Sequence, residues 1–407
     1  MQEREEGATV SYVNAHISFL LLVFLTANVY PVPGATQGRP TTPPRLTEPA
    51  LPTSPYRYTN ALPYHFTNID HPESIAATDN TPIHNPTTDD GATLGRVLFY
   101  DTRLSLNGQV SCGSCHQQRN GFSDPRQFSI GFDGQVTRRH SMSLTNARYY
   151  LRGRFFWDER AETLEAQVLA PIHDSVEMGL PLEELKVRLS TTPFYRLLFT
   201  RAFGTSAVTQ DRVARALAQF VRALVSHRSA YDVARSAGLP GSDAFVAHLT
   251  PAQRLGHQLF VTDPGSEPRG AGCGRCHVTD AQISLSPRNI GLSPGQNTDY
   301  GAGDERFKAP SLRNIEITQP YMHDGRFATL REVIEHYNSQ VAPHPFLDMR
   351  LLDRRVVVTG GAVEPIRLNL TDLEINGLLA FLAMLTDTAF LTDPRFSDPF
   401  TSTSDEP

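Results

Sequence analysis

The sequence predicts a mainly α-helical fold built from two tandem units, and three observations carry that expectation. A Cys-x-x-Cys-His pentapeptide occurs twice, as Cys112-Gly113-Ser114-Cys115-His116 and as Cys273-Gly274-Arg275-Cys276-His277. A related hexamer precedes each one at the same offset. Leu94-Gly95-Arg96-Val97-Leu98-Phe99 and Leu255-Gly256-His257-Gln258-Leu259-Phe260 give 112 − 94 = 18 and 273 − 255 = 18. Each half then closes with apolar residues at helical spacing: Val213, Leu217, Phe220, Val221 and Leu224, then Leu378, Leu379, Phe381, Leu382 and Leu385. No long alternating run suggests a sheet.

Taken in order, the chain opens with an apolar run from Ile17 to Leu25 and a Pro/Gly stretch through Pro33, Gly34 and Ala35. A membrane span needs about 20 residues, so this run is too short, and residues 1–35 are expected to act as a signal peptide. Glu3, Glu5 and Glu6 against Arg4 depart from the basic start of such a segment. An uncleaved N-terminal anchor is therefore the alternative to a cleaved signal, with a periplasmic location in either case. Residues 36–60, rich in Pro, Thr and Arg, are expected to be a disordered linker.

The first unit is expected over 61–240 and the second over 241–395, followed by a tail at 396–407. Gly238, Pro240 and Gly241 interrupt the helical pattern between them. Thr209 reads as the N-cap of the first closing helix. Thr250 with Pro251 opens the helix that carries the second hexamer. Thr371 and Glu374 form a capping box ahead of the last apolar stripe.

Bulk properties set the class. A chain of 407 residues is long enough for two or more domains of about 100–200 residues. Hydrophobic content of 40% and a mean hydropathy of -0.30 describe an ordinary globular protein. Net charge of -6 and a pI near 6.2 give no basic footprint for nucleic acid. With 30 prolines and 28 glycines, much of the chain should be loop.

The pentapeptides carry the chemistry. Two thiols three positions apart, with histidine directly after, attach a c-type haem: each thiol adds to one vinyl group and the imidazole ligates the iron. The chain has four cysteines, and the two motifs use all of them. Zinc knuckles lie about 15–20 residues apart, whereas far more chain intervenes here. A thioredoxin-like pair does not need the following histidine, and disulfide frameworks belong to short, cysteine-dense chains. Two covalent haem c groups are therefore expected, bound through Cys112, Cys115, Cys273 and Cys276, with His116 and His277 as proximal ligands. Helix, haem motif, loop and helix, twice over, predicts two cytochrome c-like domains with an interface between them.

Further motifs surround the haem sites. Phe122-Ser123-Asp124 follows the first. Phe155-Phe156-Trp157-Asp158-Glu159-Arg160, Leu164-Glu165-Ala166-Gln167, Pro171 and Glu177-Met178-Gly179 come next. Pro310-Ser311-Leu312-Arg313-Asn314 and Pro320-Tyr321-Met322-His323-Asp324-Gly325 follow the second. Over residues 61 to 390 the sequence resembles the bacterial di-haem cytochrome c peroxidases and their MauG-like oxidase relatives. The resemblance implies a peroxide site at the first haem and an electron-entry or charge-sharing site at the second. It also implies that Trp157 bridges the two haems, that Gln167 orients peroxide and that Glu177 moves its protons. A carboxylate in a haem pocket can take a proton from one peroxide oxygen and return it to the other. Without the resemblance, Trp157 beside two phenylalanines reads as core, Glu177 as a loop acid and Gln167 as a helix-face residue.

The resemblance also bears on the sixth ligands. Classical members carry a histidine within a Gly-His-Gly-like loop, and the matching place here is Gly131-Phe132-Asp133-Gly134. Phenylalanine cannot ligate iron, so the first haem is expected to be five-coordinate or water-bound, with His140 as the rival ligand or else a surface histidine. At the second haem, Tyr337 falls on the position of the classical methionine, where MauG-like enzymes have tyrosine. His336 and Met322 are the fallbacks. Phenolate stabilises oxidised iron, whereas thioether favours ferrous iron. Family members also bind Ca²⁺ between the domains. The backbone carbonyls of Lys308 and Pro310 are retained candidates, but His140 stands at the asparagine position, and Ca²⁺ prefers oxygen. His323 matches a family position without a role of its own.

The expected function is reduction of hydrogen peroxide to water with electrons from a small c-type cytochrome or cupredoxin. The alternative is MauG-like oxidation of aromatic residues on a partner protein. A non-enzymatic di-haem electron carrier is the third reading, and the distal Glu177 and Gln167 weigh against it. A homodimer is compatible with all three.

Overall fold

Why the same hexamer occurs twice becomes clear from two helix crossings. The structure is a computed structural model that describes residues 47–59, 61–69, 74–295, 298–353 and 364–400. The first hexamer lies in helix α1 (Asp89–Tyr100), which Thr88 caps by accepting from the Gly91 amide at 3.0 Å. Its partners in chain order are α2 (Leu164–His173), α3 (Leu182–Thr191), α4 (Pro193–Phe203) and α5 (Gln210–Ala223). Then come α6 (Ala230–Ala237), α7 (Pro251–Val261), α8 (Leu330–Glu335) and α9 (Asp372–Ala383). α1 crosses α5 and α7 crosses α9. A Cβ on Gly95 would lie 2.0 Å from the Ala216 carbonyl oxygen, and one on Gly256 would lie 1.9 Å from that of Gly377. Only glycine lets the backbones approach so closely.

Each crossing seeds a hydrophobic cluster. Leu94, Leu98 and Phe99 meet Leu217, Phe220 and Val221 in the first. In the second, Leu259 and Phe260 meet Leu378, Phe381 and Leu382. The expected caps are present: Thr209 accepts from Arg212, and Thr250 with Gln253 and Thr371 with Glu374 form capping boxes. Among the described residues there are isolated β-bridges and no named strand, so the chain is mainly helical.

The segment boundaries differ from the sequence reading. Tyr231 and Ala234, expected in the first unit, are buried in the second cluster, because α6 is amphipathic and presents them to Phe245 and Leu249. Phe390, from the second unit, and Phe396 and Phe400, from the expected tail, are buried in the first cluster. Leu51 and Tyr58, from the expected linker, pack on that same cluster, and the Ala50 amide donates to the Pro399 carbonyl at 2.7 Å. Apolar side chains in Pro-rich sequence thus find a groove that a composition argument does not see. Residues 1–35, expected as signal or anchor, lie outside the described residues, as does 401–407. Among the described residues no helix is long and apolar enough to cross a membrane.

Candidate active site

Both pentapeptides sit at tight local turns. Cys112–Cys115 is a single helical turn in which Ser111 and Ser114 cap each other reciprocally, and Cys273–Arg275 is a 3₁₀ turn. Directly after each motif the histidine ring is fixed in the same way. His116 Nδ1 bonds the Phe122 carbonyl at 3.0 Å, and His277 Nδ1 bonds the Gln282 carbonyl at 3.1 Å. Phe122 and Gln282 both have left-handed backbone, with φ of 59° and 45°, which turns each carbonyl back toward its imidazole. With Nδ1 as the donor, Nε2 is left as the free, basic nitrogen. Burial lowers the pKa of both rings, against the pull of those carbonyls.

Each histidine lines its own cavity. The one at His116 has a volume of about 870 Å³, and its lining includes Trp157, Gln167 and Glu177. The one at His277 has a volume of about 240 Å³ and a mainly apolar lining that includes Cys273, Cys276, Met322 and Tyr337. His140, Met142, Trp157 and Lys308 line both, and so form the wall between them.

Gln167 lies on α2, capped by Thr163. Pro171 sits four residues on and has no N–H to give the Gln167 carbonyl. Glu177 follows on the loop after α2, and its carboxylate has no hydrogen-bond donor among the described residues. Burial, with the Asp174 carboxylate, pushes its carboxyl up to about 7, against the pull of Arg160. A carboxyl poised there can both accept and give a proton at neutral pH.

Trp157 Nε1 donates to the His140 carbonyl at 2.7 Å, and its ring meets His323 edge-on at 6.4 Å. Tyr337 stands in a π-helical turn, His336–Gln340, that extends α8, and such turns are frequent at functional sites. Burial, then the neighbouring Cys276 and Cys273 thiols, raise its phenol above the ordinary tyrosine value. Its hydroxyl has no hydrogen-bond partner among the described residues.

The family model described as di-haem cytochrome c peroxidase matches residues 89–237. The chain is 32% identical over 322 residues to methylamine utilization protein MauG of Methylophilus methylotrophus, covering 77% of this chain and 86% of that protein. It is 35% identical over 272 residues to cytochrome c551 peroxidase of Nitrosomonas europaea, covering 63% and 76%. A crystal structure of a MauG-like protein associated with microbial copper homeostasis superposes with a TM-score of 0.65 at 33% identity, covering 82% of this chain and 99% of that one. The chain belongs to the di-haem cytochrome c peroxidase and MauG family.

As a di-haem family member it is a peroxidase-type oxidoreductase, and its family implies haem c. The residues present fit that group. All four cysteines are free of disulfides, each pair lies beside a histidine held through Nδ1, and each histidine borders a cavity.

Two of the histidines weighed as ligands have ring nitrogens that are already hydrogen-bonded. His140 is not a surface histidine: it is buried. Its Nε2 meets Ser123 Oγ at 3.0 Å and its Nδ1 meets the Arg126 carbonyl at 3.2 Å, so both ring nitrogens are engaged. His336 Nε2 is likewise held, by the Ile290 carbonyl at 2.9 Å. Phe132 packs over Gly179, where an added Cβ would lie 2.4 Å from its ring, and its amide donates to the Glu177 carbonyl at 3.0 Å. The loop that carries Phe132 therefore buttresses the loop that carries Glu177. For calcium, no group of three or more His, Cys, Asp or Glu that could hold a metal ion occurs among the described residues, and the expectation stays with the carbonyls of Lys308 and Pro310.

Sequence reasoning missed a cluster at the wall. The Lys308 side chain is buried, with Nζ 4.0 Å from the Tyr150 ring centroid and 4.6 Å from that of Phe155. Burial pulls its ammonium down to about 7, against the attraction of Glu159. Glu159 in turn accepts from Tyr150 and from Arg152. Nothing in the spacing of these residues marks them as neighbours.

Proposed function

We propose that this chain is a periplasmic di-haem oxidase of the MauG-like type, which uses hydrogen peroxide to oxidise an aromatic residue of a partner protein. The carrying observation is Tyr337, which lines the same cavity as Cys273, Cys276 and His277 and whose hydroxyl has no hydrogen-bond partner among the described residues. In this reading two cytochrome c-like domains would each hold one haem c, through Cys112, Cys115 and His116 and through Cys273, Cys276 and His277, and Tyr337 would supply a further ligand to the second. The bound irons supply the redox centres at which peroxide is reduced and oxidising equivalents are held.

The chain's own residues do the rest. Gln167 hydrogen-bonds and orients peroxide in the larger cavity. Glu177 takes the proton from one peroxide oxygen and returns it to the other, for which a carboxyl near 7 is suited. Trp157, held in the wall by the His140 carbonyl, electronically couples the two cavities. Phe132 leaves no histidine to close the first site, so the enzyme acts without prior reduction. Periplasmic export follows from the apolar N-terminal run and from the usual assembly of haem c outside the bacterial cytoplasm.

The MauG relative and the copper-associated MauG-like neighbour support this reading, and the latter makes a protein of copper handling the first partner to try. Electron supply by a small cytochrome or cupredoxin is the second reading, supported by the cytochrome c551 peroxidase relative. The test is a holoprotein mixed with peroxide and each candidate in turn. Covalent change in a partner protein supports the first reading. Steady peroxide turnover at the expense of a reduced cytochrome, with no change in any partner, overturns it in favour of the second.

A further inference from the structure

We propose that Tyr150 and Glu159 form a redox-active pair behind the wall between the cavities, in which the phenol gives up an electron and passes its proton to the carboxylate. This rests on the peroxide-driven reading above, which supplies the oxidant. Tyr150 is wholly buried and Glu159 nearly so, and the Tyr150 hydroxyl donates to Glu159 Oε1. Arg152 Nε clamps the carboxylate at 2.9 and 3.0 Å. The backbone makes the pairing expensive: Glu159 sits at φ 55°, in the left-handed region that favours glycine. Strain of this kind persists only where surrounding structure enforces it, and it concentrates at functional sites.

Position completes the case. The Tyr150 ring lies against Lys308 Nζ, and Lys308 lines both cavities, so the phenol is one layer behind the surface that Trp157 occupies. A buried tyrosine that needed only a hydrogen-bond acceptor would be served by a carbonyl. Here it meets an acidic group that can take up a proton. Burial, then the bond and charge of Glu159, raise the phenol above its ordinary pKa. It therefore cannot lose its proton to solvent first, and oxidation must go with transfer to the carboxylate.

Hydrogen peroxide takes up two electrons, and two protons relayed from solvent through Glu177, in forming two waters. Tyr150 supplies one electron through the wall, while its O–H bond breaks and the proton crosses to Glu159; the other electron is drawn from the cofactor. Two one-electron donations, from a reduced donor or from aromatic residues of a partner, return one electron to the phenol and one to the cofactor, and Glu159 returns the proton.

The experiment takes the full-length holoprotein labelled with ring-deuterated tyrosine, adds one equivalent of peroxide and freezes the sample for EPR, with peroxide consumption read in parallel. The expected result is a neutral tyrosyl radical that narrows on deuteration and is lost in Tyr150→Phe. Its yield should fall in Glu159→Gln, which keeps a hydrogen-bond acceptor but cannot take the proton. Wild type that consumes peroxide without a tyrosyl signal, or a signal that survives in Tyr150→Phe, overturns the pair and leaves the peroxidase reading standing. Wild type that consumes no peroxide overturns both. If Tyr150→Phe does not fold, Glu159→Gln decides, since an unchanged radical yield there removes the proton transfer.

Discussion

The indole nitrogen of Trp157 donates to the carbonyl oxygen of His140 at 2.7 Å, and His140 is itself held at both ring nitrogens. The tryptophan is thereby anchored to a rigid neighbour in a wall shared by two cavities. Trp157→Phe keeps an aromatic ring but loses the anchor. Electron exchange between the two sites, followed by stopped-flow absorbance after peroxide addition, should slow at least about tenfold, or about 1.4 kcal/mol on the barrier. An unchanged rate would take Trp157 off the route.

Glu177 sets a pH dependence. Its carboxyl is raised to about 7, and the first step requires the ionised form to accept a proton. The rate of peroxide cleavage should therefore rise as pH climbs through about 7. Glu177→Gln should flatten that profile and lower the rate by about 10²–10⁴-fold. Single-turnover kinetics across pH 5–9, a range of about two units either side of the carboxyl, checks both points.

Tyr337 and Met322 line the same cavity, and each would offer a ligand to a haem held there. If Tyr337 is the ligand, Tyr337→Met should raise the reduction potential of that haem, because thioether favours ferrous iron where phenolate favours ferric. Spectroelectrochemical titration reads the shift. A spectrum and potential identical to wild type would hand the role to Met322.

Stability hangs on a buried ion pair. Arg313 Nη1 donates to Asp232 Oδ2 at 2.6 Å, with side chains 0% and 4% exposed, and His65 Nε2 meets the other oxygen at 2.9 Å. Burial alone would raise the Asp232 carboxyl. The Arg313 charge and the bonds from His65, Arg313 and Ser229 outweigh it and hold the group well below the ordinary range. A depressed carboxylate stabilises the fold above its unfolded pKa of about 3.9 and loses that contribution as pH falls further. Arg313→Met should cost about 3–5 kcal/mol at neutral pH. Denaturant unfolding should show that cost shrinking under acid.

The helix crossings make the complementary prediction. Gly95→Ala and Gly256→Ala each force a methyl into a backbone carbonyl, and overpacking of this kind costs about 1–3 kcal/mol. Thermal unfolding of the two variants should give similar losses, because Ala216 and Phe220 face the first glycine as Gly377 and Phe381 face the second.

Much of this was legible in the chain itself. The pentapeptides, the 18-residue offset and the threonine caps are local patterns, and local patterns survive folding. Gln167, Glu177 and Trp157 around His116 were legible only through resemblance, since nothing in their spacing brings them to one cavity. Contacts between distant segments left no trace: Phe396 and Phe400 returning to the first core, Lys308 over Tyr150, Glu159 in a glycine-like conformation. Arg138 and Arg139 suggest solvent around His140, yet that ring is buried. Arg139 is instead drawn inward by Asp158 and Asp299, each at 2.7 Å.

The π-helical turn at His336–Gln340 has an evolutionary reading. A turn of that kind is a one-residue insertion into an α-helix, and each residue advances the helix by about 100°. Deleting one residue within this turn would restore regular winding and swing the residues after the deletion by about that angle. What this segment offers to the second cavity is therefore encoded twice, by the identity of residue 337 and by the phase of the helix that carries it. Lineages could exchange one side chain for another there by slipping the phase, without altering the residue itself.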